Sequence, residues 1–191
     1  MKTLHCISAC ALALAVTPLA AAAQAANPVS TAIKNSLRGA THKMVAAAQE
    51  MPADKYSFKP TPESMSFGQL ILHVGTSNQM MCQWISGAAP APKSTLTPSS
   101  PKAKLVELLQ SSFAYCEQAL AQVDDSKLGD PVPAFGGRKA SQAALMISLS
   151  DDWADHYSQQ AAYLRLNGLL PPTARRGGMK MGGMKKMGKG R

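Results

Sequence analysis

Two histidines and one aspartate combine metal-binding chemistry with helical spacing. Asp152 and His156 are four residues apart, so at about 100° per residue they share a helix face with Leu145 and Leu149. His73 lies within a second apolar stripe, and we expect both histidines to point into the protein interior. A carboxylate and an imidazole on an apolar face cost several kcal/mol of desolvation unless a partner compensates them. A divalent metal bound by two histidines and one carboxylate is one such partner, with zinc, nickel, iron and manganese all compatible.

The same residues also allow an interpretation without metal. Asp152 could form an ion pair with His156 or with an arginine, and His73 could be a hydrogen-bonded core residue. His42 lies on the opposite side of its helix from the apolar stripe, so we expect it to be exposed and chemically inert. Tyr157 and Gln160 lie beside His156 and could support the ligands, although the position of Tyr157 favours an inter-helix role. The sequence shows no Ser-His-Asp or Cys-His nucleophile set.

Four amphipathic helices are predicted to position these side chains. Apolar residues recur every three or four positions in each, and Pro-, Gly- and Ser-rich connectors separate them. Ser66 and Gln69 have the spacing of a capping box, and Gly168 has the position of a C-terminal helix cap. No strand is convincing. The prediction is an all-α four-helix bundle, with helices near residues 30–50, 66–86, 101–123 and 141–167.

The first 25 residues have the pattern of a cleavable secretory signal peptide. Lys2 is followed by an apolar run from about Ile7 to Ala23, and Ala23-Gln24-Ala25 supplies the small residues of a cleavage site. The run is rich in alanine and lacks a stop-transfer charge cluster, which argues against a membrane anchor. We therefore expect a mature chain that begins at Ala26 and is periplasmic or secreted.

The formal charge of +9 is concentrated at the C-terminus of the chain. Residues 173–191 contain only Gly, Met, Lys, Arg, Ala and Thr, so this segment cannot bury itself and is predicted to be a disordered basic tail. The predicted domain, residues 26–172, is nearly neutral. This distribution argues against a nucleic-acid-binding domain and allows weak contact of the tail with anionic envelope surfaces.

Cys82 and Cys116 remain in the mature chain, whereas the other two cysteines lie within the signal peptide. A pair of cysteines in an oxidising compartment can form a disulfide, and two buried free thiols are the alternative. If their helices were antiparallel neighbours, the two residues would lie at only roughly matched levels. A disulfide also requires α-carbons within about 7 Å of each other.

Two segments carry a resemblance to a known family. The run from Met51 to Glu63, followed by Ser66-Phe-Gly-Gln-Leu-Ile-Leu-His73, resembles the DinB-like superfamily. Asp155-His-Tyr-Ser-Gln-Gln160, with the run from Tyr163 to Pro172, resembles it as well. The resemblance implies an up-down-down-up four-helix bundle with a long crossover, a divalent metal bound by three histidines, and frequent homodimers. His73 and His156 match two of these ligands, whereas Asp152 stands at the position of the third.

Two functions are compatible with this resemblance. The first is metal-dependent action on a small molecule, either thiol transfer or a hydrolase-like reaction, in which the ion would activate water or a thiol. The alternative is a non-catalytic periplasmic bundle that binds a metal or ligand and has an envelope-associating basic tail. The sequence does not name a substrate.

Overall fold

A computed structural model describes residues 27–176 of the chain. The predicted signal peptide and the tail from residue 177 onward lie outside the described residues. Within them the four long helices are present as α1 (Pro28–Glu50), α2 (Phe67–Ser86), α3 (Lys102–Ala121) and α4 (Gln142–Leu166). A short fifth helix, α5 (Pro172–Arg176), follows. No helix of the described segment is long and apolar enough to cross a membrane.

The ends of the helices follow local sequence signals. The Ser66 side chain accepts from the Gln69 backbone N–H while the Gln69 side chain accepts from the Ser66 backbone N–H, which completes the capping box at the start of α2. Helix α1 has no such cap of its own. Instead the carboxylate of Asp125, which follows α3, accepts hydrogen bonds from the backbone N–H groups of Val29 and Ser30 at 2.8 Å each. The start of α1 is therefore fixed by a distant part of the chain.

Contacts between the helices establish the predicted up-down-down-up direction. Gly68 lies against Leu105 and Cys82 against Cys116, so α2 and α3 run parallel. Hydrogen bonds from Gln142 to Ile85 and from Tyr163 to Met65 make α4 antiparallel to α2. Lys34 and Lys102 contact the far ends of α3 and α1, respectively, which makes these two helices antiparallel. The bundle thus has two poles, and α1 and α4 both start at the same one.

Because α2 and α3 are parallel, the chain between them must return along the whole bundle. Residues 87–101 form this crossover, which lies against both helices. The Tyr115 hydroxyl donates to the carbonyl of Ala89, and the carbonyl oxygen of Pro98 would clash with a side-chain carbon at position 68. Gly68 also donates its backbone N–H to Tyr56 at 2.7 Å. Only glycine allows the crossover to approach α2 this closely.

Two elements differ from the sequence prediction. A two-stranded antiparallel hairpin, β1 (Pro131–Pro133) and β2 (Lys139–Ser141), precedes α4, although no strand was predicted. The second difference is at the C-terminus, where a disordered tail was predicted from residue 173. Regular structure continues past residue 172, because α5 packs against α1. There the Thr173 hydroxyl bonds that of Tyr157 at 2.8 Å, and Arg175 makes a bidentate ion pair with Glu50. Residues 173–176 therefore belong to the folded domain and not to a disordered tail.

Candidate metal centre

His73, Asp152 and His156 meet at the interface of α2 and α4. One potential ligand atom from each lies within 4.8 Å of those of the other two. An ion with bonds of about 2.1 Å holds its donor atoms roughly 3 to 4 Å apart, so small side-chain rotations would bring these atoms into coordination. The three residues predicted from the sequence therefore form one cluster, assembled from both sides of the α2–α4 contact.

The three side chains differ in burial. His156 is buried and Asp152 is half-buried, as their positions in the α4 stripe predicted, but His73 is exposed. The prediction that His73 points into the interior is wrong because the buried face of α2 is rotated toward Gly75, Asn78 and Cys82, which α3 covers. His73 lies at the edge of that face. The cluster consequently has a protein side and a solvent side.

Hydrogen bonding orients the His156 ring. Its Nδ1 lies 2.9 Å from the backbone carbonyl oxygen of Asp152, an acceptor that requires the proton on Nδ1. This tautomer leaves the Nε2 lone pair available for a metal. The rings of His73 and His156 stack with centroids 4.8 Å apart and planes 16° apart, and Ser77 Oγ lies 3.5 Å from His73 Nε2. Both imidazoles are thus held beside the Asp152 carboxylate.

One oxygen atom of the Asp152 carboxylate is buried without a hydrogen-bond donor. Its Oδ2 is buried and makes no hydrogen bond among the described residues, and its Oδ1 lies 3.8 Å from His156 Nδ1, beyond hydrogen-bond range. A buried carboxylate oxygen without a donor is costly, and a cation is a partner that would satisfy it. The residues present therefore fit a divalent ion, and the ion-pair alternative leaves Oδ2 unexplained.

Burial raises the pKa of the Asp152 carboxyl, and the two nearby imidazoles oppose this shift only in part. Although His73 is exposed overall, partial desolvation of its ring at the edge of the cluster lowers its pKa, helped by the neighbouring His156 ring and opposed by Asp152. Both shifts disfavour charged side chains in the metal-free site. The neutral imidazole is the form of histidine that binds a metal, and a bound cation would favour the ionised form of Asp152.

These shifts predict a pH-dependent effect of Asp152→Asn on the metal-free protein. The folded state holds the Asp152 proton more tightly than the unfolded chain does. The free energy of unfolding therefore falls as pH rises from about 3.9, the pKa of aspartate in the unfolded chain, through the raised pKa of Asp152 in the folded protein. We expect Asp152→Asn to raise the unfolding free energy at pH 7 by roughly 1 kcal/mol, and the gain to vanish below about pH 3.9. Urea unfolding in the presence of a chelator measures this difference.

Asp151→Asn is the matched control, since Asp151 is the exposed neighbour of Asp152 on α4. Its substitution should change little at either pH. Equal stability of the native protein and Asp152→Asn at pH 7 would mean that the carboxylate is already compensated without metal.

The structure assigns other roles to the remaining candidates. His42 is exposed on α1 and is not one of the residues of the cluster. Tyr157 is buried against α1 and α5, with the Lys43 ammonium 4.9 Å from its ring centroid, so its role is inter-helical as its position indicated. Cys82 and Cys116 are joined in a disulfide with α-carbons 5.3 Å apart. This bond links α2, which carries His73, to α3.

Sequence reasoning missed a buried polar network that supports α4. Asn78 is fully buried, accepts from the Trp153 indole N–H at 2.7 Å and donates to Ser112 at 3.1 Å. It thereby ties α2, α3 and the turn of α4 that carries Asp152. The sequence did contain a signal for this network, because Asn78 lies among the apolar residues of α2. A buried amide requires hydrogen-bond partners, so it indicates polar residues on the neighbouring helices.

Comparisons with known proteins agree with this architecture. The model of a family described as the DinB superfamily matches residues 36–159. The crystal structure of a DinB-like protein from Bacillus subtilis is 25% identical with a TM-score of 0.59, covering 72% of this chain and 92% of that one. A DinB-like protein from Bacillus cereus is 14% identical with a TM-score of 0.63, over 74% and 95% of the two chains. A conserved protein from Enterococcus faecalis is 18% identical with a TM-score of 0.59, over 72% and 96%. No curated protein matches the sequence.

Proposed function

Since this chain belongs to the DinB superfamily, we propose that it binds a divalent metal ion through His73, Asp152 and His156. The observation that carries the proposal is the buried, unpartnered Oδ2 of Asp152 beside two imidazoles. Zinc, nickel, iron and manganese all accept two histidines and one carboxylate. Aspartate in place of a third histidine adds one negative charge and leaves the bound site with a single net positive charge.

We further propose that the site acts on a small molecule, by a thiol-transfer or hydrolase-like reaction. When bound, the ion would supply Lewis acidity and lower the pKa of a coordinated water or thiol. The protein's own contribution is positional, because the Asp152 carbonyl holds the His156 ring and the bundle covers one side of the cluster. The exposure of His73 leaves the other side open to a small molecule.

Export is part of the proposal. The pattern in the first 25 residues supports it, and so does the buried Cys82–Cys116 disulfide, because disulfides persist in oxidising compartments. Mass spectrometry of the extracytoplasmic fraction provides the test. A chain that starts at Ala26 supports export, and a full-length chain found only in the cytosol contradicts it.

Metal titration tests the central claim. Protein freed of metal by a chelator should gain thermal stability when zinc, nickel, iron or manganese is added, since a ligand that binds only the folded state stabilises it by about 2.7 kcal/mol at 100 times its Kd. Metal analysis after gel filtration should find about one ion per chain for the preferred metal. No retained metal and no thermal shift with any of the four ions would refute the proposal.

A further inference from the structure

A cavity with basic walls lies between α1 and the start of α5. Its volume is about 310 Å³, and none of the described residues that line it is acidic. None of them belongs to the candidate metal centre either. The cavity is therefore a separate place where an anion could bind. Its lining consists of Arg38, Gly39, His42, Lys43, Pro172 and Thr173.

Helix α1 carries positive charge that its own residues do not compensate. Its basic residues are Lys34, Arg38 and Lys43, and its only acid is Glu50. Arg175 of α5 takes both oxygen atoms of that acid in a bidentate ion pair, with distances of 2.6 Å each. Lys34 and Arg38 are four residues apart, a spacing at which like charges repel. An anion bound on this side of α1 would relieve the repulsion.

The contacts of Arg38 and Lys43 do not neutralise these two charges. The Arg38 guanidinium donates to the side-chain oxygen of Asn35, and the Lys43 ammonium lies 4.9 Å from the centre of the Tyr157 ring. Both partners are neutral. Glu117 of α3 lines a neighbouring cavity together with Arg38 but does not line the cavity at α5. Both cations thus remain available to an anion in that cavity.

Gly39 keeps the space between the two cations open. Glycine in the interior of a helix is less stable than alanine. Neither packing nor backbone conformation requires it here, because a side-chain carbon at position 39 would meet no atom within 4 Å and the φ angle of Gly39 is not positive. At about 100° per residue, Gly39 lies between Arg38 and Lys43 around the helix. The missing side chain therefore exposes the backbone between them.

We propose that Arg38 and Lys43 bind a phosphate group over Gly39. The guanidinium donates two hydrogen bonds to one phosphate, and the ammonium adds a compact positive charge. Because the two cations flank Gly39 on different sides, they suit a tetrahedral oxyanion better than a planar carboxylate. The phosphate belongs either to a small soluble molecule or to a phospholipid headgroup. This site is independent of the proposed metal function.

Binding of inorganic phosphate to the metal-free protein, measured by isothermal titration calorimetry, tests the site without interference from a metal. We expect Arg38→Gln and Lys43→Gln each to weaken binding at least about 10-fold, the loss typical of a hydrogen bond to a charged group. Lys139→Gln is the matched control, because Lys139 is exposed on β2 and does not line the cavity. It removes the same charge and should change the affinity by less than about 2-fold.

Gly39→Ala distinguishes a binding role from a structural one. The variant should melt about 2–4 °C higher than the native protein, since alanine favours the helix. It should nevertheless bind phosphate more weakly, because the added methyl group occupies the space between Arg38 and Lys43. A residue with only a structural role would change the melting temperature and leave the affinity as it is.

Vesicles of phosphatidylcholine, with and without phosphatidylglycerol, identify the source of the phosphate. Binding to the anionic vesicles that Arg38→Gln and Lys43→Gln weaken, without competition by inorganic phosphate, assigns the site to a lipid headgroup. Binding of inorganic phosphate itself assigns it to a soluble phosphate. The inference is overturned if the native protein binds neither probe, or if Lys139→Gln weakens binding as much as the two cavity variants. Either result leaves the metal proposal standing.

Discussion

Substitution of His156 by alanine is expected to weaken metal binding by at least about 100-fold, more than the loss of a residue that only supports a ligand. His156 is the most buried of the three candidate ligands, and its ring is held by the Asp152 carbonyl with Nε2 available. Without it the remaining ligands, one on each helix, leave an incomplete set. Competition with a chromophoric chelator on metal-free protein measures the change in affinity for zinc.

Two further variants separate ligand loss from structural damage. His42→Ala removes an exposed histidine of α1 that is not part of the cluster and should leave zinc affinity unchanged. Asp152→His creates the three-histidine set that the family resemblance implies and should bind zinc at least as tightly as the native protein. If His156→Ala remains folded in the chelator and still binds zinc with native affinity, His156 is not a ligand.

Loss of the Cys82–Cys116 disulfide is expected to lower the free energy of unfolding by about 2–4 kcal/mol. The bond closes a loop of sequence separation 34 that includes the whole crossover, so its removal gives the unfolded chain much more freedom. Both sulfurs are fully buried, so the crosslink should resist reduction until the protein opens. The Cys82→Ala/Cys116→Ala double variant, compared with the oxidised protein by guanidinium unfolding, gives the difference directly.

Reduction provides the control for this result. A reductant added during unfolding should lower the midpoint of the native protein and leave that of the double-alanine variant unchanged. Unfolding free energies of the oxidised protein and the variant that agree within about 0.5 kcal/mol would show that the crosslink does not stabilise the domain.

The helices could be predicted because their signals are local. Apolar spacing located all four, and the capping box at Ser66 and the glycine at position 168 located individual ends within a few residues. The pair Asp152 and His156 could be predicted for the same reason, since both lie on one helix at a fixed spacing. The resemblance to the DinB-like superfamily then predicted the relative directions of the four helices.

Features that depend on contacts between helices could not be read from one segment. The stripe of α2 did not reveal that α3 covers one of its flanks, and the exposure of His73 depends on that contact. The parallel arrangement of α2 and α3 likewise decides that Cys82 and Cys116 lie at one level. Strands β1 and β2 have three residues each, and β1 contains two prolines, so the hairpin left too weak a pattern.

The ion pair between Arg175 and Glu50 also fixes where the described part of the chain ends relative to the hairpin. It fixes the chain's exit at the pole where α1 ends, whereas Phe135 in the hairpin lies exposed at the opposite pole. The 25 residues of α4 separate the two by about 37 Å. If the protein were immobilised through its C-terminus, the hairpin would therefore point away from the support, and the His73–Asp152–His156 cluster between the poles would face sideways.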